Sequence, residues 1–222
     1  MRARDLFTEA ERARIAEAVR AAEEHSRGEI VTAVTDASDD YTGAVWRGAA
    51  FGALVGPLIL VLIDWATGVW SNPAPWLMLL AAAGGCAGGL LAVRSSAVLL
   101  RWLAPEEELD LRVARAARSA FLEHEVFNTR DRSGVLLFLS LLERRVVVLG
   151  DSGIDAVVAP EEWSEIVAGI VAGIRAGRPA EAVVEAVERC GTLLQRTGLE
   201  RRVDDRDELD NAPHIEDAEE GS

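Results

Sequence analysis

Gly48–Ile63 (GAAFGALVGPLILVLI) and Trp76–Val93 (WLMLLAAAGGCAGGLLAV) are two uncharged apolar segments separated by the short connection Asp64–Pro75. A helix that crosses a bilayer needs about 20 consecutive apolar residues, within a range of about 17–25. The second segment reaches that length alone. The first does so when Ala44–Trp46 are added and Arg47 extends its charged end outward along its own stem. The pair reads as a transmembrane helical hairpin, with spans of about 46–64 and 76–94 inside the region 44–103. The competing reading is a pair of core helices in a soluble protein.

Flanking charge orients the hairpin. Arg27 and Arg47 precede it, Arg94 and Arg101 follow it, and the connection carries no basic residue. By the positive-inside rule both chain ends are cytoplasmic, which makes this a multi-pass protein of the inner (plasma) membrane. Trp46, Trp65, Trp70, Trp76 and Trp102 cluster at the segment ends, as indoles do at membrane interfaces. Gly48, Gly52 and Gly56 in the first span, and Gly84, Gly85, Gly88 and Gly89 in the second, suit close helix–helix approach in lipid.

Outside the hairpin the chain is highly charged. The 222 residues carry a net charge of −14 although half of them are hydrophobic, and all 23 basic residues are arginine. Such an acidic balance argues against a nucleic-acid partner, whose phosphates attract positive surface. Part of the negative charge lies in Asp204–Glu220, which has few apolar residues, so 201–222 is expected to be a disordered acidic tail. Cys86 lies mid-span and Cys190 in a predicted helix, so they do not pair, and free thiols fit a reducing compartment. Met1–Arg14 is polar, not a signal peptide, which leaves the first span as the targeting signal.

Taken in order, Thr8 and Glu11 form a capping-box signature for a helix whose apolar stripe is Ile15, Ala18, Val19 and Ala22. Ser26-Arg27-Gly28 ends it, and the β-branched run Glu29–Thr35 reads as a strand. After the hairpin, Leu99–Leu103 looks interfacial, and Pro105 followed by three glutamates opens a helix. Gly134–Ser140 and Val146–Leu149 read as two strands joined by a turn short enough to make them antiparallel neighbours. Pro160 and Pro179 open two more helices, closed by Gly177 and Gly198. Helices are thus available for both sheet faces, and the economical fold is a three-layer α/β/α sandwich with a small mixed central sheet, interrupted by the hairpin.

Several of these stretches resemble the TPM domain family: Phe7-Thr8-Glu9-Ala10-Glu11, Ser26–Ile30, Arg132–Ser140, Glu143-Arg144 and Asp151-Ser152-Gly153-Ile154. Trp163, Gly177-Arg178 and Cys190-Gly191 are similar to a bacterial branch of uncharacterised membrane proteins in which a transmembrane hairpin interrupts the domain. The resemblance divides the chain into 1–43 and 104–200 as the two parts of the domain, 44–103 as the hairpin, and 201–222 as the tail. It implies the α/β/α fold. For activity it implies either acid phosphatase chemistry, attributed to plant members, or the accessory roles of members in photosystem repair and receptor assembly. Calcium binding through acidic residues at strand ends is also implied.

The residues themselves offer acidic candidates. Asp36, Asp39 and Asp40 follow the first strand, and Asp151 and Asp155 follow the last. If those strand ends lie together, the carboxylates converge into a site for a hard cation such as Ca²⁺. The alternative is ordinary solvated loops, since the spacing matches no fixed ligand motif. Arg130 and Arg132 either bind an anion or pair with nearby carboxylates. Glu23, Glu24 and Glu29 form either an acid/base set or a solvated helix end. His25, His124 and His214 are scattered, and no nucleophile–base pair can be named for catalysis. Two functions stay open. One is a non-enzymatic accessory or assembly factor that docks on another membrane protein at the bilayer. The other is a weak divalent-metal-dependent phosphatase.

Overall fold

A computed structural model describes residues 2–24, 28–67, 74–196 and 212–216. The chain separates into two compact units, Met1–Asp39 with Asp110–Ser222, and Asp40–Leu109. The expectations placed on His25, Ser26, Arg27, Trp70 and Gly198 fall outside the described residues.

In the first unit, a single 3₁₀ turn, Ala3–Asp5, precedes helix α1, Glu9–Glu23. The capping box forms as the sequence predicts. The Thr8 side chain accepts from Glu11 N–H, and the Glu11 carboxylate accepts from Thr8 N–H at 2.7 Å. Strand β1, Ile30–Thr35, follows.

The second unit holds α2 (Thr42–Thr67), α3 (Pro75–Ser95) and α4 (Ala97–Leu103). Their long apolar stretches face outward: only 6% of the most apolar window in either α2 or α3 is buried. A soluble-core helix would show the reverse. Trp46, Trp65, Trp76 and Trp102 are all exposed. Among the described residues, α2 and α3 are the two helices long and apolar enough to cross a membrane. They lie against each other through glycine. A Cβ on Gly52 would come within 2.0 Å of the Gly85 carbonyl oxygen, and one on Gly89 within 2.2 Å of that of Gly48. Backbones this close exclude any side chain. Arg47, expected to reach outward, instead donates to the Leu103 carbonyl at 2.7 Å and pairs with Glu108 at 2.9 Å.

After the hairpin come α5 (Glu106–Glu123), β2 (Val135–Ser140), β3 (Arg145–Gly150) and a short α6 (Ser152–Asp155). Next are α7 (Pro160–Arg175) and α8 (Pro179–Arg196), and finally strand β4 (His214–Glu216). The four strands form one mixed sheet in the order β3-β2-β1-β4. β1 runs parallel to β2 and β4, while β2 and β3 are antiparallel. Side chains alternate between the faces, as a pleated strand requires. Ile30 and Val34 of β1, with Val135, Leu137 and Leu139 of β2, join one core cluster that includes Val19, Ile170, Val187 and Leu194 from α1, α7 and α8. Val31 and Ala33, with Leu136 and Phe138, face Val113, Ala117 and Ala120 of α5. Every residue of β1 and β2 is buried, so the expected three-layer α/β/α sandwich stands.

Besides the 3₁₀ turn and α4, which the sequence reading did not mark as helical, two further elements depart from it. The short α6 occupies a stretch read only as following the last strand. The stretch expected to be a disordered tail over 201–222 contributes β4, which pairs Ala33 with His214, Val34 with Ile215 and Thr35 with Glu216. With His-Ile-Glu as its whole length, β4 is too short for periodicity to signal a strand.

Candidate functional site

The register decides where the candidate carboxylates go. Thr35, at the end of β1, is level with Ser140, which in turn pairs with Arg145 at the start of β3. Gly150, at the end of β3, pairs with Val135, which is level with Ile30. Asp36 and Asp39 therefore leave one end of the sheet, and Asp151 and Asp155 leave the other. Six residues at about 3.3 Å each put about 20 Å of sheet between the two pairs. The convergence expected from the sequence fails because the tight turn after β2 carries β3 back toward the beginning of β1. Asp40 belongs to the other unit. Among the described residues, no group of three or more His, Cys, Asp or Glu side chains is arranged to hold a metal ion. A single Ca²⁺ site built from all five carboxylates does not fit this fold.

At the first end, each acid has a structural partner. The Asp36 side chain accepts from Ala3 N–H, tying the 3₁₀ turn to the sheet. Asp39 pairs with Arg112 at 2.7 Å. Between them lies a buried polar knot that the sequence reading did not single out. Glu143 is 2% exposed, and it accepts from Ser38 N–H at 2.8 Å and from the Ser140 hydroxyl. The Ser38 and Ser140 hydroxyls are themselves 2.8 Å apart. Apolar β2 ends in serine because that serine meets a carboxylate returning from the turn.

The second end is the more concentrated one. Asp151 caps α6, and one of its oxygens accepts from Ser152 N–H at 2.6 Å. Its other oxygen pairs with Arg132 Nε at 3.0 Å, and Asp151 as a whole is 5% exposed. Of the two readings of Arg132, carboxylate pairing is the one that holds. Arg132 sits at φ 55°, in the left-handed region that L side chains avoid, and donates to the Phe127 carbonyl at 3.2 Å. Asp155 has its carboxyl pushed above the ordinary aspartate range, chiefly by desolvation; the Trp163 indole opposes the shift and the Asp151 charge adds to it. Glu23 and Glu29 are buried here, and Glu23 accepts from Ile30 N–H at 2.8 Å. The solvated-helix-end reading is therefore corrected for those two, while Glu24 is exposed. Glu23 holds the start of β1, a positioning task. The histidines are less scattered than the sequence suggests, since His124 and His214 stack with ring centroids 4.1 Å apart.

A groove of about 410 Å³ lies between α7 and α8, lined by Ile166, Glu185, Glu188, Arg189 and Thr192 among others, and includes none of the five candidate aspartates. Sequence signals for the second end did exist. Asp151 and Arg132 flank the antiparallel β2–β3 pair, and Trp163 is the one tryptophan remote from the hairpin. The expected antiparallel pairing of β2 and β3 already brings Arg132 to Asp151, whereas the arrival of α7 with Trp163 is a tertiary contact the sequence does not signal.

Comparison with known proteins bears on the same region. The TPM domain family model matches residues 105–193, which include α5, β2, β3, α6, α7 and nearly all of α8. The fold is similar to the NMR structure of BA42 protein from the psychrophilic bacterium Bizionia argentinensis, with a TM-score of 0.57 and 18% identity over 95% of each chain. No curated protein matches the chain by sequence. The family match and the shared fold fall on one region: residues 105–193 are similar to the TPM domain, and they build the sandwich onto which β1 is added.

Proposed function

We propose that this protein is a non-enzymatic accessory or assembly factor, anchored in the inner membrane by the α2–α3 hairpin, whose TPM domain docks on another membrane protein. The observation that carries the reading is the engagement of the candidate acids. Asp36, Asp39 and Asp151 are each held in a bond that ties two parts of the fold together. Acid–base or metal chemistry needs carboxylates that converge on open space, and these brace loops instead. The exposed apolar faces of α2 and α3 support the anchor. The basic residues Arg47, Arg94 and Arg101, against a connection without any, support cytoplasmic chain ends.

The test is made on the full chain in native membranes. Chemical cross-linking followed by mass spectrometry is expected to recover a reproducible membrane-protein partner. The purified protein is expected to leave a generic phosphomonoester unhydrolysed with Ca²⁺ or Mg²⁺ present. Turnover that disappears in Asp151→Asn but survives in an exposed control, Glu24→Gln, would overturn the proposal in favour of a metal-dependent phosphatase.

A further inference from the structure

β4 is an unusual edge strand in three respects. It is three residues long, where strands usually run to about five or six. It reaches β1 from beyond the folded helices, with 15 residues separating Arg196 of α8 from Ala212. It is nonetheless held by side chains on both faces of the sheet. Ile215, level with Val34, packs against the core cluster formed with α1, α7 and α8, and His214, level with Ala33, stacks on His124 at the end of α5. The Ala33–Thr35 edge of β1 therefore offers three kinds of recognition at once: a backbone ladder, an apolar seat and an aromatic face. These are the elements by which folded domains take up extended peptides as added strands.

From this we infer that the Ala33–Thr35 edge is a strand-accepting groove, and that its occupant in trans is the His214-Ile215-Glu216 segment of a second copy of this chain. The segment already seated there shows which sequence fits, and a second copy carries that sequence by definition. Fifteen residues, at most about 3.3–3.6 Å each when extended, reach about 50 Å, enough to leave one domain and enter another. Exchange of an identical element replaces each contact with its equal, so it costs little, and reciprocal exchange closes into a two-fold dimer with no strand left over. A strand this short is held in cis by few bonds, which lets it trade places. The inference stands apart from the accessory role proposed above, because it concerns copies of this chain alone.

Two differently tagged preparations of the full-length protein, purified separately in detergent and then mixed, give the test. One tag is expected to capture the other over time. Excess synthetic peptide spanning residues 212–217 should suppress the capture, and Ile215→Asp in both preparations should abolish it. Far-UV circular dichroism of the variant checks that the sandwich is intact, and the peptide competition, done on the unaltered protein, does not depend on the variant folding. Absence of co-capture would overturn the inference. So would co-capture that persists with both peptide and Ile215→Asp, which would indicate association through the membrane helices. Loss in Ile215→Asp without competition by the peptide would overturn it as well.

Discussion

Asp155 resists ionisation because its carboxyl is desolvated beside α7, with Trp163 opposing and the Asp151 charge reinforcing the shift. The sign of the linked stability follows. An acid whose pKa is raised in the folded state weakens the fold as pH climbs past its unfolded value, and the penalty is complete above the folded value. Asp155→Asn is therefore expected to raise the melting temperature at pH 7, with the gain shrinking to nothing below the ordinary aspartate value of 3.8. Glu143 is a buried side chain on which two donors depend. Glu143→Ala should cost about 1–3 kcal/mol in chemical denaturation, since Ser38 N–H and the Ser140 hydroxyl lose their acceptor. Cys190 is buried, and burial pushes its thiol up to about 12. It should resist alkylation at pH 8 in the folded protein and react fully in denaturant, as followed by mass spectrometry. At this scale the sequence was only partly legible. Thr8 and Glu11 announce their capping box by spacing alone, because both partners lie within one helical turn. Glu143 meeting Ser38 could not be read, because the two are brought together only by the sheet.

The hairpin helices and strands β1, β2 and β3 were read from composition and period, and they differ from the observed elements by a few residues at their ends. Their packing gives a sharp contrast between neighbouring glycines. Gly52→Ala would drive a methyl group into the Gly85 carbonyl, whereas a Cβ on Gly84 meets nothing within 4 Å. Gly52→Ala should destabilise the α2–α3 pair by about 1–3 kcal/mol, the usual cost of overpacking, and Gly84→Ala should leave it unchanged. Thermal unfolding of the two variants in detergent measures the difference, and equal behaviour would contradict the glycine contact. α6 and β4 escaped the sequence reading for a common reason. At four and three residues neither is long enough to show a period, and tertiary contacts decide such elements.

For the molecule as a whole, fold class was legible and site geometry was not. Near-continuous runs of buried residues on β1 and β2 specify cover on both faces, but strand order and direction are long-range properties, and they separate Asp36 from Asp151. The proposed orientation of the hairpin is open to direct measurement. A reporter inserted in the connection 64–75 is expected to behave as periplasmic and one appended after Ser222 as cytoplasmic; the reverse pattern would overturn the orientation drawn from the arginines. The pairing of β1 with β2 also has a consequence in time. Ile30 is level with Val135, 105 positions further along the chain. At roughly 5–20 residues per second, a ribosome needs on the order of 5–20 seconds to make that partner. During that interval the hairpin and then α4 and α5 are synthesised, and Ile-Val-Thr-Ala-Val-Thr waits as a bare β-prone segment of the kind that aggregates. Slowing translation between the two strands should thus lower the yield of folded protein, while slowing it after Gly150 should not.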